Sequence, residues 1–168
     1  MSEFYYDFNK GKKIQDIAEK HIKYYLDNEI IKTDSKSSQP VDFVSKNGNK
    51  YEIKSGYNEY LQTIIIEEYS KGLNEYNKDG WWYKLENNTI ILFFPSYKYI
   101  NTSSEFIYLK ITEEIRNIYN DYSINYKLYK NKPTDIINGN SWVSAYKKFP
   151  LSFFCNKFIK YKIIKDFL

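Results

Sequence analysis

The sequence holds very few of the residues that most zinc sites and covalent catalytic sites require. Cys155 is the only cysteine and His21 the only histidine among 168 residues. One chain therefore has neither a disulfide nor a cysteine-based zinc site, and it lacks the paired histidines of an HExxH zinc site. A Ser-His-Asp triad would depend on His21 alone. This composition favours carboxylate chemistry in an intracellular protein.

Arginine, long apolar segments and targeting signals are also scarce or lacking. Arg116 is the only arginine among 25 basic residues, and the net charge of +4 permits nucleic-acid binding without requiring it. No segment approaches the roughly 20 apolar residues of a transmembrane helix. The first residues lack the basic and apolar regions of a signal peptide. We therefore expect a cytoplasmic protein with no membrane partner.

Aromatic residues and lysine are abundant, with 19 Tyr and 11 Phe. An AT-rich genome would encode such a composition whatever the protein does. Lysine and aromatic residues alternate in residues 126–130 and 157–162, which weakly indicates phosphate contacts and base stacking. We interpret most of these lysines as solvent-exposed surface.

The spacing of apolar residues predicts an α/β fold. Residues 12–27 carry apolar side chains at helical spacing, with His21 inside the buried stripe as a core residue. Apolar runs predict strands at residues 61–66, 89–94 and 106–111. Thr112 is expected to cap a helix that begins at Glu113.

The remaining segments give weaker patterns, which complete one predicted domain over residues 1–168. Residues 71–80 and 131–140 are polar and loop-like, residues 81–83 predict a strand or a core contact, and residues 123–129 predict a strand. A chain of this length can bury a core of its own. We treat residues 122–168 as a C-terminal appendage of the same domain.

The residues best suited to catalysis are concentrated on one predicted hairpin, residues 39–54. Asp42 lies on its first strand, and Glu52 and Lys54 lie on its second. Because side chains alternate along a strand, Glu52 and Lys54 share a face and Ile53 points into a core. Carboxylates hold Mg²⁺, which screens a phosphate and activates a water. The lysine would orient or deprotonate that water, or stabilise the developing charge, so the hairpin predicts phosphodiester hydrolysis.

The register of the hairpin decides whether Asp42 joins this group. A two-residue turn at Asn47-Gly48 would place Asp42 opposite Ile53, with its side chain on the wrong face. A three-residue loop of residues 47–49, with one residue in the αL conformation, would place Asp42 opposite Lys54 and Val44 opposite Glu52. We predict an odd-length loop or a bulge.

Residues 8–95 resemble the PD-(D/E)xK nuclease superfamily. Asp42 matches the aspartate of its motif, Glu52 the acidic residue and Lys54 the lysine, while Val41 stands where the motif has proline and Pro40 lies one position earlier. The resemblance implies a restriction-endonuclease-like core, which is a mixed central β-sheet flanked by helices.

The same resemblance implies a Mg²⁺-dependent DNA endonuclease in which Mn²⁺ can replace Mg²⁺. Asp42, Glu52 and the helical acid, which falls on Glu19, would bind the metal, and Lys54 would assist the attacking water. Glu67 is a second, weaker candidate for the additional acid. The small size resembles phage or viral nucleases and junction resolvases, and a homodimer would place two sites across a duplex.

A second function class is consistent with the same residues. The spacing Asp-x9-Glu-x-Lys also arises by chance in a chain rich in lysine and glutamate, and the three charges would then be exposed hairpin surface. The protein would be a non-catalytic nucleic-acid or protein binding module on an α/β scaffold. Within the nuclease hypothesis, duplex, single-stranded and branched DNA all remain open as substrates.

Overall fold

The computed structural model describes residues 3–33, 41–71, 78–130, 136–137, 140–141 and 143–168. The helices are α1 (Glu3–Tyr25), α2 (Trp81–Lys84) and α3 (Glu113–Tyr122). The strands are β1 (Ile30–Lys32), β2 (Phe43–Ser45), β3 (Lys50–Lys54), β4 (Tyr57–Asn58), β5 (Thr63–Lys71), β6 (Lys78–Asp79), β7 (Ile90–Phe93), β8 (Glu105–Lys110), β9 (Leu128–Lys130), β10 (Ile136–Ile137), β11 (Asn140–Ser141), β12 (Val143–Pro150) and β13 (Ile159–Lys162).

Two larger sheets, a two-stranded sheet of β10 and β11, and the helices around them form the fold of the described residues. The first sheet has the order β1-β2-β3-β7-β8-β13, and the second has the order β4-β5-β12-β9, with β6 paired to β5. In the first sheet β3 and β7 are parallel and the other neighbours are antiparallel. A parallel pair needs a long crossover, and here it runs through the second sheet and α2. The predicted α/β class, with a mixed sheet flanked by helices, is confirmed.

Helix α1 covers one face of the first sheet with the stripe that the sequence predicts. The helix begins at Glu3, earlier than predicted, and ends at Tyr25. Its buried positions recur at three- and four-residue intervals, as an amphipathic helix requires: Ile14, Ile17, Ala18, His21 and Ile22.

His21 is a core residue, as predicted. It is fully buried, its Nδ1–H donates to the carbonyl of Ile17 at 2.8 Å, and its Nε2 accepts from the N–H of Ile164 at 2.9 Å. Burial lowers the pKa of the imidazole. Both ring nitrogens are therefore occupied by structural hydrogen bonds.

The first sheet is buried on both faces, which explains its most apolar strand. Every residue of β7 is buried, because Ile90 and Leu92 pack towards α1 while Ile91 and Phe93 pack towards the second sheet. The sequence of a strand that is covered on both faces is a continuous run of apolar residues. The strands predicted at residues 89–94 and 106–111 are observed as β7 and β8.

Several predictions about local structure need correction. Trp81 and Trp82 begin the short helix α2, and Trp82 is buried in the core. The strand predicted at residues 123–129 is observed only as β9, Leu128–Lys130, because Ser123–Asn125 forms a 3₁₀ turn after α3. The strand predicted at residues 61–66 begins at Thr63 and continues to Lys71. The capping of α3 is confirmed, since Thr112 Oγ1 accepts from the N–H of Ile115 at 3.2 Å.

The C-terminal segment supplies strands to both sheets. β12 lies between β5 and β9 in the second sheet, and β13 pairs with β8 at the edge of the first. Most of the loops predicted at residues 71–80 and 131–140 lie outside the described residues. None of the described helices is both long and apolar enough to cross a membrane.

Candidate functional site

The β2-β3 hairpin has the odd-length loop that the sequence predicts, but with another register. Phe43 pairs with Tyr51 and Val44 with Lys50, and the N–H of Ser45 donates to the carbonyl of Asn49 at 2.8 Å. The loop is therefore residues 46–48, and Gly48 adopts the αL conformation with a φ of 87°. The prediction that Asp42 lies opposite Lys54 and Val44 opposite Glu52 is wrong. The glycine, with no Cβ, takes the αL position more readily than the asparagines beside it.

Asp42 is hydrogen-bonded to Tyr51 and Ile53, the two residues that flank Glu52 on β3. Its N–H donates to the carbonyl of Tyr51 at 2.9 Å, and its Oδ2 accepts from the N–H of Ile53 at 2.8 Å. Its Oδ1 accepts from Nε2 of Gln15 on α1 at 2.9 Å. These bonds hold the Asp42 carboxylate against β3 and Gln15 of α1.

Glu52 and Lys54 form a close ion pair on the opposite face of β3 from α1. Tyr51 and Ile53 pack against the α1 core, so alternation directs Glu52 and Lys54 towards Trp81 and the second sheet. Lys54 Nζ lies 2.8 Å from Glu52 Oε1 and 4.9 Å from the centroid of the Trp81 ring. The aromatic ring and the carboxylate together restrict the position of the ammonium group.

Asp42, Glu52 and Lys54 are electrostatically coupled. Burial raises the pKa of Glu52 to about 7, the Lys54 ammonium lowers it and the charge of Asp42 raises it. Burial also raises the pKa of Asp42, against the hydrogen bond from the N–H of Ile53 and the charges of Lys54 and Lys32. Half-buried Asp42 and buried Glu52 thus share the charge of Lys54, and the site is short of positive charge.

A divalent cation fits this shortage of positive charge. Asp42 and Glu52 offer hard oxygen donors, and Mg²⁺ commonly takes one or two protein carboxylates and completes its shell with water and substrate phosphate. Among the residues that the structure describes, no group of three or more His, Cys, Asp or Glu side chains is arranged to hold a metal. The chain would therefore supply two carboxylates and leave the other positions to water and substrate.

The two additional acids predicted from the sequence lie elsewhere. Glu19 forms an ion pair with Lys23 at 3.2 Å on α1, one turn beyond Gln15. Glu67 lies on β5 in the second sheet, opposite Tyr146. The α1 residue that contacts Asp42 is Gln15, which the sequence prediction missed although it shares a helical face with Glu19 at a spacing of four residues.

The pKa of Glu52 leads to a prediction about stability. With its pKa raised from 4.5 to about 7, the folded state binds the proton more tightly than the unfolded state. Protonated Glu52 therefore stabilises the fold below pH 4.5, and this stabilisation is lost as the pH rises to about 7. In EDTA, we expect the free energy of unfolding to fall over this range by up to about 3 kcal/mol more in the wild type than in Glu52→Gln.

Urea denaturation of both proteins at several pH values measures this difference. His21 is common to the two proteins, so its contribution cancels in the comparison, whereas the measured difference includes the effect of Glu52 on Asp42. Parallel pH profiles for the wild type and Glu52→Gln would contradict a raised pKa at Glu52.

No family model, curated protein or solved structure matches this chain. The assignment of a function therefore depends on the geometry and chemistry of the site.

Proposed function

We propose that this protein is a divalent-metal-dependent DNA endonuclease whose catalytic residues are Asp42, Glu52 and Lys54. The observation that carries the proposal is the coupling of two carboxylates to Lys54: half-buried Asp42, which directly precedes β2, and buried Glu52 on β3, whose Oε1 lies 2.8 Å from Lys54 Nζ. Buried titratable groups with shifted pKa values concentrate at functional sites. A structural role alone would favour apolar residues at such positions, because unpaired buried charge is costly.

The two carboxylates and the lysine have different roles in this reaction. Asp42 and Glu52 would hold Mg²⁺ or Mn²⁺, which when bound screens the phosphate charge and lowers the pKa of a coordinated water. Gln15 and the N–H of Ile53 orient the Asp42 carboxylate. At metal sites, such hydrogen bonds from neighbouring groups hold the ligating side chains in place. Lys54, restricted by Glu52 and Trp81, would donate to the attacking water or to a phosphate oxygen.

The proposal extends to the setting in which the protein acts. Cutting both strands of a duplex would need two such sites, and a homodimer would supply them. The same proposal includes a restriction-endonuclease-like core, which the resemblance of the motif implies. It also includes a cytoplasmic location, where the enzyme would meet intracellular or viral DNA.

A cleavage assay tests the proposed function. The purified protein is incubated with supercoiled plasmid, single-stranded circular DNA and a branched junction, each in Mg²⁺, Mn²⁺ or EDTA. We expect cleavage of at least one substrate with either cation and none in EDTA. Cleavage in EDTA would reject the metal mechanism, and failure to cut any substrate would favour the non-catalytic binding module.

A further inference from the structure

A cleft of about 630 Å³ opens beside the proposed catalytic residues. It lies where the parallel strands β3 and β7 end, and its lining includes Ser55, Gly56, Pro95 and Ser96. Ser55 directly follows Lys54 in the chain. Ligands of α/β proteins commonly bind at the carboxyl ends of parallel strands.

Exposed aromatic side chains stand at this cleft. Tyr60 and Tyr99 line it with 94% and 57% of their surface exposed, and Leu61 beside them is 60% exposed. Lys98 Nζ lies 5.5 Å from the centroid of the Tyr99 ring. An accessible tyrosine ring near a lysine can stack on an unpaired base while the ammonium contacts a phosphate.

The outer face of the second sheet continues this surface. Ala145 and Phe149 of β12 are fully buried, so alternation places Tyr146 and Lys148 on the outer face. Tyr129 of β9 lies opposite Tyr146, and the two rings are nearly parallel with centroids 5.7 Å apart.

Two lysines flank this pair of rings. Lys127 Nζ lies 5.0 Å and Lys148 Nζ 4.9 Å from the centroid of Tyr129. Lys148 also lines the cleft, so cleft and sheet face are continuous. We call Lys127, Tyr129, Tyr146 and Lys148 the tyrosine face.

We propose that the cleft and the tyrosine face bind single-stranded DNA. Tyr60 and Tyr99 are exposed, whereas Tyr129 and Tyr146 are partly exposed. Stacking on these rings requires unpaired bases, which a duplex does not offer. The choice of DNA rests on the proposed function, because Ser55, which lines the cleft, directly follows Lys54 in the chain.

The charges on this surface indicate the relative contributions of base stacking and phosphate contacts to the affinity. Glu59 lines the cleft, but its carboxylate accepts from the N–H of Ser104 at 2.9 and 3.1 Å. Glu67 lies opposite Tyr146 on the outer face. With Glu59 and Glu67 on the same surface as Lys148, we expect stacking to contribute more to the affinity than phosphate contacts do.

Fluorescence anisotropy with a labelled oligothymidylate, measured in EDTA, tests the proposal without cleavage. We expect Tyr60→Ala and Tyr129→Ala each to weaken binding roughly tenfold, and Tyr129→Phe to retain the wild-type affinity. Lys148→Ala should reduce the slope of log affinity against log salt by about 0.7.

Matched controls are available elsewhere on the surface. Tyr122 is 57% exposed, and Lys46 is exposed on the β2-β3 loop, so Tyr122→Ala and Lys46→Ala should bind like the wild type. Because Tyr60 is almost fully exposed, its replacement cannot act by unfolding the protein. Wild-type affinity in Tyr60→Ala and Tyr129→Ala would overturn the proposal.

The same assay separates this proposal from the proposed function. Tighter binding of duplex DNA or of the matching RNA would overturn the choice of single-stranded DNA. Oligothymidylate binding that depends on Tyr60 and Tyr129, in a protein that cuts no DNA with Mg²⁺, would reject the nuclease and keep the binding surface. Cleavage with unchanged binding in both variants would keep the nuclease and reject the surface.

Discussion

Glu52→Gln and Asp42→Asn are each expected to lower the rate of Mg²⁺-dependent DNA cleavage by about three orders of magnitude. Each change keeps the shape of the side chain and removes one of the two carboxylate charges that would hold the cation. Lys54→Met should lower the rate by about 10²–10⁴-fold, because the ammonium beside Glu52 is lost. Initial rates on the best substrate of the cleavage assay measure all three effects.

The fold should survive these changes, which separates catalysis from stability. Glu52→Gln removes a buried carboxylate that the site compensates poorly, so circular dichroism and urea denaturation should show a folded protein. Parental cleavage rates in any of the three variants would remove that residue from the mechanism.

Lys50→Met is the matched control for Lys54→Met. Lys50 lies on the same strand and alternates to the same face as Lys54, but its partner is Glu86 at 2.8 Å, on the surface. We expect its cleavage rate to stay within about threefold of the wild type, since exposed ion pairs contribute little. A loss as large as that of Lys54→Met would show that general charge, and not the position of Lys54, matters.

Gly80→Ala is expected to destabilise the protein by about 3 kcal/mol. The N–H of Gly80 donates to the carbonyl of Glu68 at 2.9 Å, so the chain passes very close to β5. A Cβ at residue 80 would lie 2.1 Å from the carbonyl oxygen of Glu67, and backbone cannot move aside as a flexible side chain can. The start of α2 would have to shift, together with Trp81 beneath Lys54 and the buried Trp82.

Urea denaturation and cleavage rates measure the two consequences, and Gly11→Ala provides the control. A Cβ at Gly11, within α1, meets no atom within 4 Å, so alanine should stabilise the protein by about 1 kcal/mol. We therefore expect Gly80→Ala to lower the free energy of unfolding and Gly11→Ala to raise it. A neutral Gly80→Ala would show that α2 does not need this close approach to β5.

Local sequence patterns were sufficient for much of the architecture. The apolar stripe of α1, the buried position of His21, the apolar strand β7 and the Thr112 cap depend on side-chain spacing and on hydrogen bonds within a few residues. The odd length of the β2-β3 loop was also predicted, although its register was not.

The composition of the candidate site was only partly predictable. Alternation along β3 was enough to set Glu52 and Lys54 on one face. The contact of Gln15 with Asp42 was not predictable, because it depends on how α1 lies across the sheet. Trp81 packs against the core, as one of the two predicted alternatives states, but its place at the start of α2 and its contact with Lys54 were not predicted.

Residue type and spacing thus specified which groups carry the chemistry, because side-chain alternation and helical periodicity are local properties of the chain. The pairing of β5 with β12, the raised pKa of Glu52 and the cleft beside Lys54 required the packed fold. Strand pairing and the burial of side chains depend on segments that are far apart in the chain. A short sequence pattern does not specify which of these segments will contact each other.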